Sequence, residues 1–307
     1  MPRVALRRLA RPLSTAFQFR IQDAFPHSRP ASRTPVRSAL KLHTRLLDGP
    51  AGASEPPLLL LHGLFGQGGN FQSVGRKLAA AGRSVVLADL RNHGASPWDA
   101  DASLSAMADD VAALISSLGA PAVSLCGHSL GGKVAMLVAL RRPELVARLC
   151  VVDIAPVAYE MGGNRAILDA LLALPDEALE SRAAADAALA AAAAAPQAEA
   201  LGNQFIRQFL LQNLVPDERR WRFNLRALRD GYDGLRGFPD AGAPAAGLPT
   251  LFIGGERDGM LGEEHRAACV AHFPDARLEM LPVGHFVHSE APGPFVELVD
   301  GFCNDMK

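Results

Sequence analysis

The chain has 307 residues, of which 49% are hydrophobic and 21% charged, with a formal net charge of -1 at pH 7. This length is enough to bury a large core, and the composition is that of an ordinary globular enzyme. The near-zero charge gives no overall attraction to nucleic acid or to an anionic membrane, and no apolar run is long enough for a membrane-spanning helix.

The first 38 residues differ in composition from the rest. Through Lys41 the chain carries eight arginines and one lysine against a single acid, Asp23. An arginine-rich, acid-poor start is typical of a mitochondrial transit peptide. We therefore predict a leader over residues 1–38 and a location in the mitochondrial matrix. The alternatives are a disordered basic tail on a cytoplasmic protein and a chloroplast address.

Beyond the leader, short apolar runs alternate with helix-length segments. The runs that indicate strands are 39–47, 57–61, 84–88, 122–126, 149–154, 250–253 and 277–281. Helical spacing covers 70–81, 104–118 and 133–140. Strands that are apolar on both faces and separated by helices predict an α/β fold, with a mostly parallel central sheet flanked by helices. We assign this core to residues 39–156 and 241–307.

The alternation breaks between residues 157 and 240, where we predict helices and no strand. Residues 183–195 are nearly polyalanine, which favours helix, and Pro196 stops it. Because this block lies between two strands of one sheet, it is predicted to be a helical cap that shapes a pocket and excludes water. A separate helical domain or a flexible linker is the alternative.

Ser129 lies in the sequence GHSLG, directly after a predicted strand and shortly before a predicted helix. The Gly-x-Ser-x-Gly pattern alone is a weak signal in a glycine-rich chain. Its strand–turn–helix context is what a nucleophile elbow requires. The sequence HGLFG also follows a strand, so the N–H of Leu64 or Phe65 is predicted to form an oxyanion hole together with the N–H of Leu130.

A serine nucleophile needs a base, and the base needs an acid to orient it. The predicted base is His285, which follows a glycine in a loop after the last strand, with His288 as the rival. The favoured acid is Asp258, since the order Ser129, Asp258, His285 is that expected of this fold. Asp153, which ends the strand after the elbow helix, stays open as the acid.

Several other reactive residue types are predicted to be structural. This group comprises His62, His93, Asp89, Arg91 and Ser96, which we expect to brace the loops after the second and third strands, and Cys126 and Cys150, expected to be buried free thiols. The spacing of the histidines and cysteines predicts no metal site. No glycine-rich turn has the lysine of a phosphate loop, and we predict no cofactor.

The sequences HGLFG, NFQSVG, DLRNHGASP, GHSLGGKVAM, VVDIAP, GGERDGM and PVGHFVH together resemble the alpha/beta-hydrolase superfamily over residues 39–303, in particular its mitochondrial members and their bacterial esterase relatives. The resemblance implies a cofactor-independent serine hydrolase that cleaves carboxylic esters or thioesters through an acyl-enzyme. It also implies a matrix location and a weak association with 2-oxoacid dehydrogenase machinery. Members without a carboxylate at the position of Asp258 use the one matching Asp153.

The sequence leaves two kinds of alternative function open. The first is another reaction on the same fold, such as C–C bond hydrolysis or cofactor-free haloperoxidation. The second is a ligand-binding or interaction protein that retains the triad.

Overall fold

The computed structural model describes residues 38–49, 56–160 and 163–304, so the predicted leader lies outside the described residues apart from Ser38. The strands are β1 (Thr44–Leu47), β2 (Leu58–Leu61), β3 (Val85–Ala88), β4 (Val123–His128), β5 (Val146–Val152), β6 (Leu214–Val215), β7 (Arg220–Trp221), β8 (Thr250–Gly255) and β9 (Ala276–Leu281). Seven of them form one sheet in the order β1-β3-β2-β4-β5-β8-β9. Only β1 and β3 run antiparallel in it.

Helices cover both faces of this sheet, which confirms the predicted fold class. They are α1 (Gln72–Ala80), α2 (Leu104–Ser117), α3 (Leu130–Arg141), α4 (Gly163–Leu172), α5 (Arg182–Ala192), α6 (Gln204–Leu211), α7 (Leu225–Asp230), α8 (Tyr232–Arg236), α9 (Arg266–His272), α10 (Val287–Glu290) and α11 (Pro292–Asn304). Short 3-10 turns lie at Gly68–Phe71, Pro143–Leu145, Asp176–Glu180, Pro196–Gly202, Pro216–Glu218 and Glu263–His265. None of the helices in the described ranges has the length and apolar character needed to cross a membrane.

The continuous leucine run of β2 reflects burial on both faces of the sheet. Leu59 and Leu61 belong to the cluster that includes residues of α2 and α3. Leu58 and Leu60 belong to the opposite cluster, which includes residues of α1 and α11. Because successive side chains of a strand point to opposite faces, a central parallel strand needs an apolar residue at every position.

Several element boundaries differ from the sequence-based predictions, among them that of β5, which spans Val146–Val152 where residues 149–154 were predicted. β1 pairs with β3 only from Thr44 onward, because the backbone N–H of Leu40 instead donates to the Asp110 carboxylate at 2.6 Å. Helix α3 begins at Leu130, three residues before the predicted start at 133. Gly131 and Gly132 lower helix propensity, but their burial in the core outweighs that local preference.

The segment between β5 and β8 contains the helices α4 to α8, and β5 and β8 are themselves adjacent parallel strands. We refer to residues 157–240 as the cap. The chain thus leaves the sheet and returns to it at neighbouring positions. The cap also holds the pair β6 and β7, which the sequence did not predict because two-residue strands are too short to show periodicity. The alanine-rich helix α5 ends at Ala192, before the predicted stop at Pro196.

The cysteines are buried in the described part of the chain. Cys126, Cys150, Cys269 and Cys303 are all free thiols. Cys126 and Cys150 are paired neighbours on β4 and β5 and lie on the same face as α11. The prediction that these two are buried free thiols is therefore met by their positions in the sheet.

Candidate active site

Ser129 lies between β4 and α3 in a backbone conformation that few non-glycine residues adopt, with φ 52° and ψ −117°. Its glycine neighbours are required by the close approach of the surrounding backbone. A Cβ on Gly127 would lie 2.2 Å from the Gly131 carbonyl oxygen, and a Cβ on Gly131 would lie 2.6 Å from the His62 carbonyl oxygen. A strained backbone conformation such as that of Ser129 costs about 1–3 kcal/mol, and such conformations cluster at functional sites. Local geometry therefore supports the predicted nucleophile elbow.

His285 lies in the loop between β9 and α10, and both candidate acids approach the same ring nitrogen. The distance from Nδ1 to Oδ2 is 2.7 Å for Asp153 and 3.0 Å for Asp258. Only the contact with Asp153 has hydrogen-bond geometry. An imidazole Nδ1 carries one proton, so it can donate to one carboxylate at a time.

The two carboxylates are held differently. Asp153 follows β5 directly with φ 52°, its side chain is fully buried, and its Oδ1 accepts from the Gly255 N–H at 2.8 Å. The Asp258 side chain is 20% exposed, and its Oδ1 accepts from the Met260 N–H at 3.1 Å. Its Oδ2 has no hydrogen-bond partner within the described ranges. Sequence order favoured Asp258, whereas hydrogen-bond geometry favours Asp153.

The pKa values of His285 and the two carboxylates depend on one another. Burial alone would lower the pKa of His285, but the hydrogen bond to Asp153 and the negative charges of Asp153 and Asp258 outweigh it and raise that pKa to about 9. Burial raises the pKa of Asp153 to about 6, against the opposing effect of His285. The pKa of Asp258 is lowered, because its contacts with His285 and Asp153 outweigh its burial. At neutral pH both acids are ionised and favour a charged imidazole.

His128 links the elbow to the histidine loop. Its Nε2 lies 2.8 Å from the His285 carbonyl oxygen, so Nε2–H donates to that oxygen. Burial and the neighbouring His285 and His288 lower the pKa of His128 well below its usual value, so the ring is neutral. Sequence reasoning missed this contact, which joins residues far apart in the chain.

Ser129 and His285 line the same cavity. No hydrogen bond joins the Ser129 hydroxyl to His285 Nε2 among the residues that the structure describes. Such contacts are often long in the unliganded state and shorten when substrate binds. The rival base, His288, is buried elsewhere, where its ring stacks on Phe71 at 4.3 Å between centroids.

The predicted oxyanion residues Leu64, Phe65 and Leu130 also line this cavity. Leu130 is the first residue of α3, where backbone N–H groups have no partner inside the helix. Phe65 has φ 63°, and its carbonyl oxygen accepts from the Asn213 side-chain amide at 2.8 Å. Asn213 is buried in the cap, so the cap helps to hold the oxyanion loop.

The residues predicted to be structural brace the loops below the site. The Nδ1 of His62 lies 2.8 Å from the Gly63 carbonyl oxygen, and its Nε2 accepts from the Leu90 N–H at 3.0 Å. The Nδ1 of His93 lies 2.9 Å from the Arg91 carbonyl oxygen. Both rings are buried, and burial lowers both pKa values.

The acidic, basic and hydroxyl side chains of that group also form hydrogen bonds. Asp89 accepts from the N–H of Gly68 at 2.6 Å and of Ala95 at 2.8 Å. Ser96 donates its hydroxyl to the Asp89 carbonyl oxygen at 2.6 Å. Arg91 forms a bidentate pair with Asp110 at 2.6 and 2.7 Å.

The cavity has a volume of about 340 Å³ and lies between the sheet and the cap. Its apolar wall comes from both, with Leu64, Phe65, Leu130, Ile154, Ile167, Ile206, Phe209, Leu210, Leu235, Met260 and Phe286. A mostly apolar pocket with a few converging polar groups suits a small molecule with an apolar portion.

Asp153, Asp258 and His285 are also the one cluster with metal-like spacing among the described residues, with ligand atoms within 4.8 Å of one another. A cation there would take Nδ1 of His285, the atom that donates to Asp153. The same three groups therefore serve either a metal or the orientation of the base, and their position beside Ser129 favours the second use.

A family described as alpha/beta hydrolase fold matches residues 56–292. The chain is 40% identical to the sn-1-specific diacylglycerol lipase ABHD11 of Mus musculus, over 86% of this chain and 85% of that protein. It is 32% identical to Esterase YbfF of Escherichia coli strain K12, over 87% of this chain and all of that protein (100%). Among solved structures, a marine microorganism esterase superimposes with a TM-score of 0.78 at 30% identity, covering 86% of this chain and 100% of the esterase.

Proposed function

The chain belongs to the alpha/beta hydrolase fold family, and on that basis we propose that Ser129 attacks the carbonyl carbon of a carboxylic ester with His285 as its base. The protein is a carboxylic ester hydrolase, as its lipase and esterase relatives indicate. The observation that carries the assignment is the position of Ser129 at a strained elbow, in one cavity with a carboxylate-bound histidine.

The reaction proceeds in two halves. In the first, His285 Nε2 takes the proton of the Ser129 hydroxyl while Oγ bonds to the carbonyl carbon. The N–H of Leu130 and that of Leu64 or Phe65 stabilise the oxyanion. His285 then gives the proton to the leaving alkoxide, and an acyl-enzyme remains. In the second half, His285 Nε2 removes a proton from water while the water oxygen bonds to the acyl carbon. The bond from that carbon to Ser129 Oγ then breaks, His285 gives the proton to Oγ, and the carboxylic acid is released.

We assign the orienting acid to Asp153, because its buried carboxylate accepts the Nδ1 hydrogen bond while Gly255 holds its other oxygen. Asp258 supplies a second negative charge beside the imidazolium that forms during the reaction. The two acids thus have different roles at one nitrogen. An acid that fixes the tautomer matters more than one that only adds charge.

The apolar wall of the cavity supports an ester with an apolar acyl chain as the substrate. The mouse relative is named as a diacylglycerol lipase specific for the sn-1 position. We therefore propose that glycerolipid acyl esters are the preferred class here. Thioesters with the same acyl chain are the second class, since the same nucleophile and oxyanion hole serve both.

The arginine-rich leader supports a location in the mitochondrial matrix, which stays a prediction. The weak association with 2-oxoacid dehydrogenase machinery, implied by the sequence resemblance, also stays a prediction. Co-purification of those complexes with the leader-free protein from a matrix extract would test it.

Replacement of the nucleophile tests the catalytic assignment. Ser129→Ala should lower kcat on p-nitrophenyl butyrate by at least about 10³-fold, since a residual rate survives loss of a triad member. It should also abolish labelling by a fluorophosphonate probe, which reacts with activated serines. Ser289→Ala is the matched control and should keep both.

An esterase rate retained by Ser129→Ala would overturn the assignment. One slow acylation without turnover in the natural chain would instead support a ligand-binding protein that retains the triad. Turnover of a β-diketone but of no ester would support C–C bond hydrolysis.

A further inference from the structure

The two ends of the cap meet at one point beside the catalytic core. The backbone N–H of Tyr159, where the chain passes into the cap, donates to the carbonyl oxygen of Arg236 at 3.0 Å. Arg236 is the last residue of α8, the last helix before β8. We call this junction, formed by Tyr159 and residues 235–237, the cap neck.

A buried lysine from the elbow helix binds the cap neck. Lys133 lies one turn into α3 from Ser129, and the residue is only 2% exposed. Its Nζ donates to the carbonyl oxygens of Arg236 at 2.6 Å and Gly237 at 2.7 Å, with that of Leu235 at 3.5 Å. These are carbonyls at the C-terminal end of a helix, which lack partners within it and carry partial negative charge.

An ammonium is well matched to this position. It offers three donors, and three carbonyl oxygens converge on it. Nζ also lies 4.9 Å from the centroid of the Tyr159 ring, a cation–π distance. Burial lowers the pKa of Lys133 to about 7, while the carbonyl acceptors and the aromatic ring favour the protonated form that binds them. A buried, partnered charge is costly to leave without its partners.

The other side of the cap neck contacts the two loops that carry the candidate acids. The Tyr159 hydroxyl donates to the Met260 carbonyl oxygen at 2.6 Å and accepts from the Ala155 N–H at 2.8 Å. Met260 lies two residues after Asp258, and Ala155 lies two residues after Asp153. Tyr159 therefore joins the cap neck to the two loops that carry the carboxylates of His285.

We propose that Lys133 and Tyr159 form a clamp that positions the cap over the catalytic residues and so sets the acyl-chain specificity of the enzyme. Both side chains line the cavity, as does Leu235, whose carbonyl oxygen faces Nζ. Lys133 fixes the cap wall against which the acyl chain packs. Tyr159 transmits the position of that wall to the acid loops. Neither residue touches the reacting atoms, so both are positioning residues. The inference rests on the proposed function of Ser129.

Two substitutions separate the parts of the clamp. Lys133→Met keeps side-chain length and removes the ammonium, whereas Tyr159→Phe keeps the ring and removes the hydroxyl. Lys77→Met, at an exposed lysine of α1, is the matched control for the first. Each protein is assayed on p-nitrophenyl acetate and p-nitrophenyl octanoate, with active sites counted by fluorophosphonate titration. That titration tests Ser129 independently, so a failed clamp and a failed nucleophile give different results.

For Lys133→Met we expect a rise in KM for the octanoate of about 10-fold or more, with KM for the acetate within about 3-fold, because only the longer chain contacts the cap wall. Tyr159→Phe should lower kcat for both esters by a similar factor, because the acid loops serve every substrate. Lys77→Met should leave all values unchanged.

Equal losses on both esters for Lys133→Met, or no change in either, would overturn the clamp. If Lys133→Met fails to fold by near-ultraviolet circular dichroism, Tyr159→Phe decides the matter alone. In that case an unchanged kcat with full titration of active sites rejects the proposal.

Discussion

At the scale of single residues, the unusual feature is one imidazole nitrogen facing two carboxylates. Asp153→Asn should lower kcat by about 10³–10⁴-fold, because an amide in the hydrogen-bonded position no longer fixes the tautomer of His285. Asp258→Asn should lower it by about 10-fold or less, since a partly exposed charge contributes about 1 kcal/mol. Ester hydrolysis at saturating substrate, at a pH above the His285 midpoint of all three proteins, measures both values. Losses of the reverse order would assign the orienting role to Asp258.

The pH profile of the same pair provides a second readout. Neutral His285 is the form that accepts a proton, so kcat/KM of the natural chain should rise with pH through the pKa of about 9. Removing a neighbouring negative charge destabilises the imidazolium and lowers that pKa. The rise for Asp258→Asn should therefore occur at lower pH, by up to about 1 pH unit, the shift that corresponds to about 1 kcal/mol. A midpoint unchanged by this substitution would show that Asp258 does not act on His285.

Residues of the site differ in how far the sequence could predict them. The strained turn at Ser129 was predictable because it is local, with strand, turn and helix in one short stretch. The choice between Asp153 and Asp258 was not, since it depends on the parallel pairing of β5 with β8 and on the positive φ of Asp153. Lys133 resembled an ordinary helix residue. Its acceptors lie more than 100 positions away in the chain, with separations of 102 to 104.

At the scale of secondary-structure elements, a buried ion pair connects the loop after β3 to α2. Arg91 and Asp110 are almost inaccessible, with side chains 4% and 0% exposed. Arg91→Met leaves a buried carboxylate with only the Leu40 N–H as a donor in the described ranges. Unfolding in urea should show a loss of about 3–5 kcal/mol.

The exposed pair Arg142–Glu144 provides the control for that measurement, with side chains 50% and 57% exposed. Arg142→Met should change the free energy of unfolding little, because solvent screens an exposed ion pair. A similar small cost for Arg91→Met would mean that water reaches Asp110. Sequence analysis placed Arg91 in a bracing role but could not name Asp110, because the pair depends on how α2 packs against the sheet.

At the scale of the whole molecule, the composition of the leader separates it from the catalytic part. Residues 1–38 fused to a fluorescent protein should direct it to mitochondria, because a basic, acid-poor segment responds to the inner-membrane potential. Replacing Arg7, Arg8 and Arg11 by glutamine should leave the fusion in the cytosol. Fluorescence microscopy with a mitochondrial marker measures both. A natural leader that leaves the fusion in the cytosol, or sends it to chloroplasts in plant cells, would contradict the matrix location.

The junction between Tyr159 and Arg236 also bears on how such enzymes diversify. The segment between Tyr159 and Arg236 starts and ends at a single backbone hydrogen bond. The distance between its two ends is therefore fixed, whatever sequence lies between them. Lengthening a loop whose ends are already together adds only about 0.6 kcal/mol of closure entropy per doubling. Evolution can therefore exchange or resize the substrate-facing segment as a cassette, while the strands that carry Ser129 and its partners keep their register.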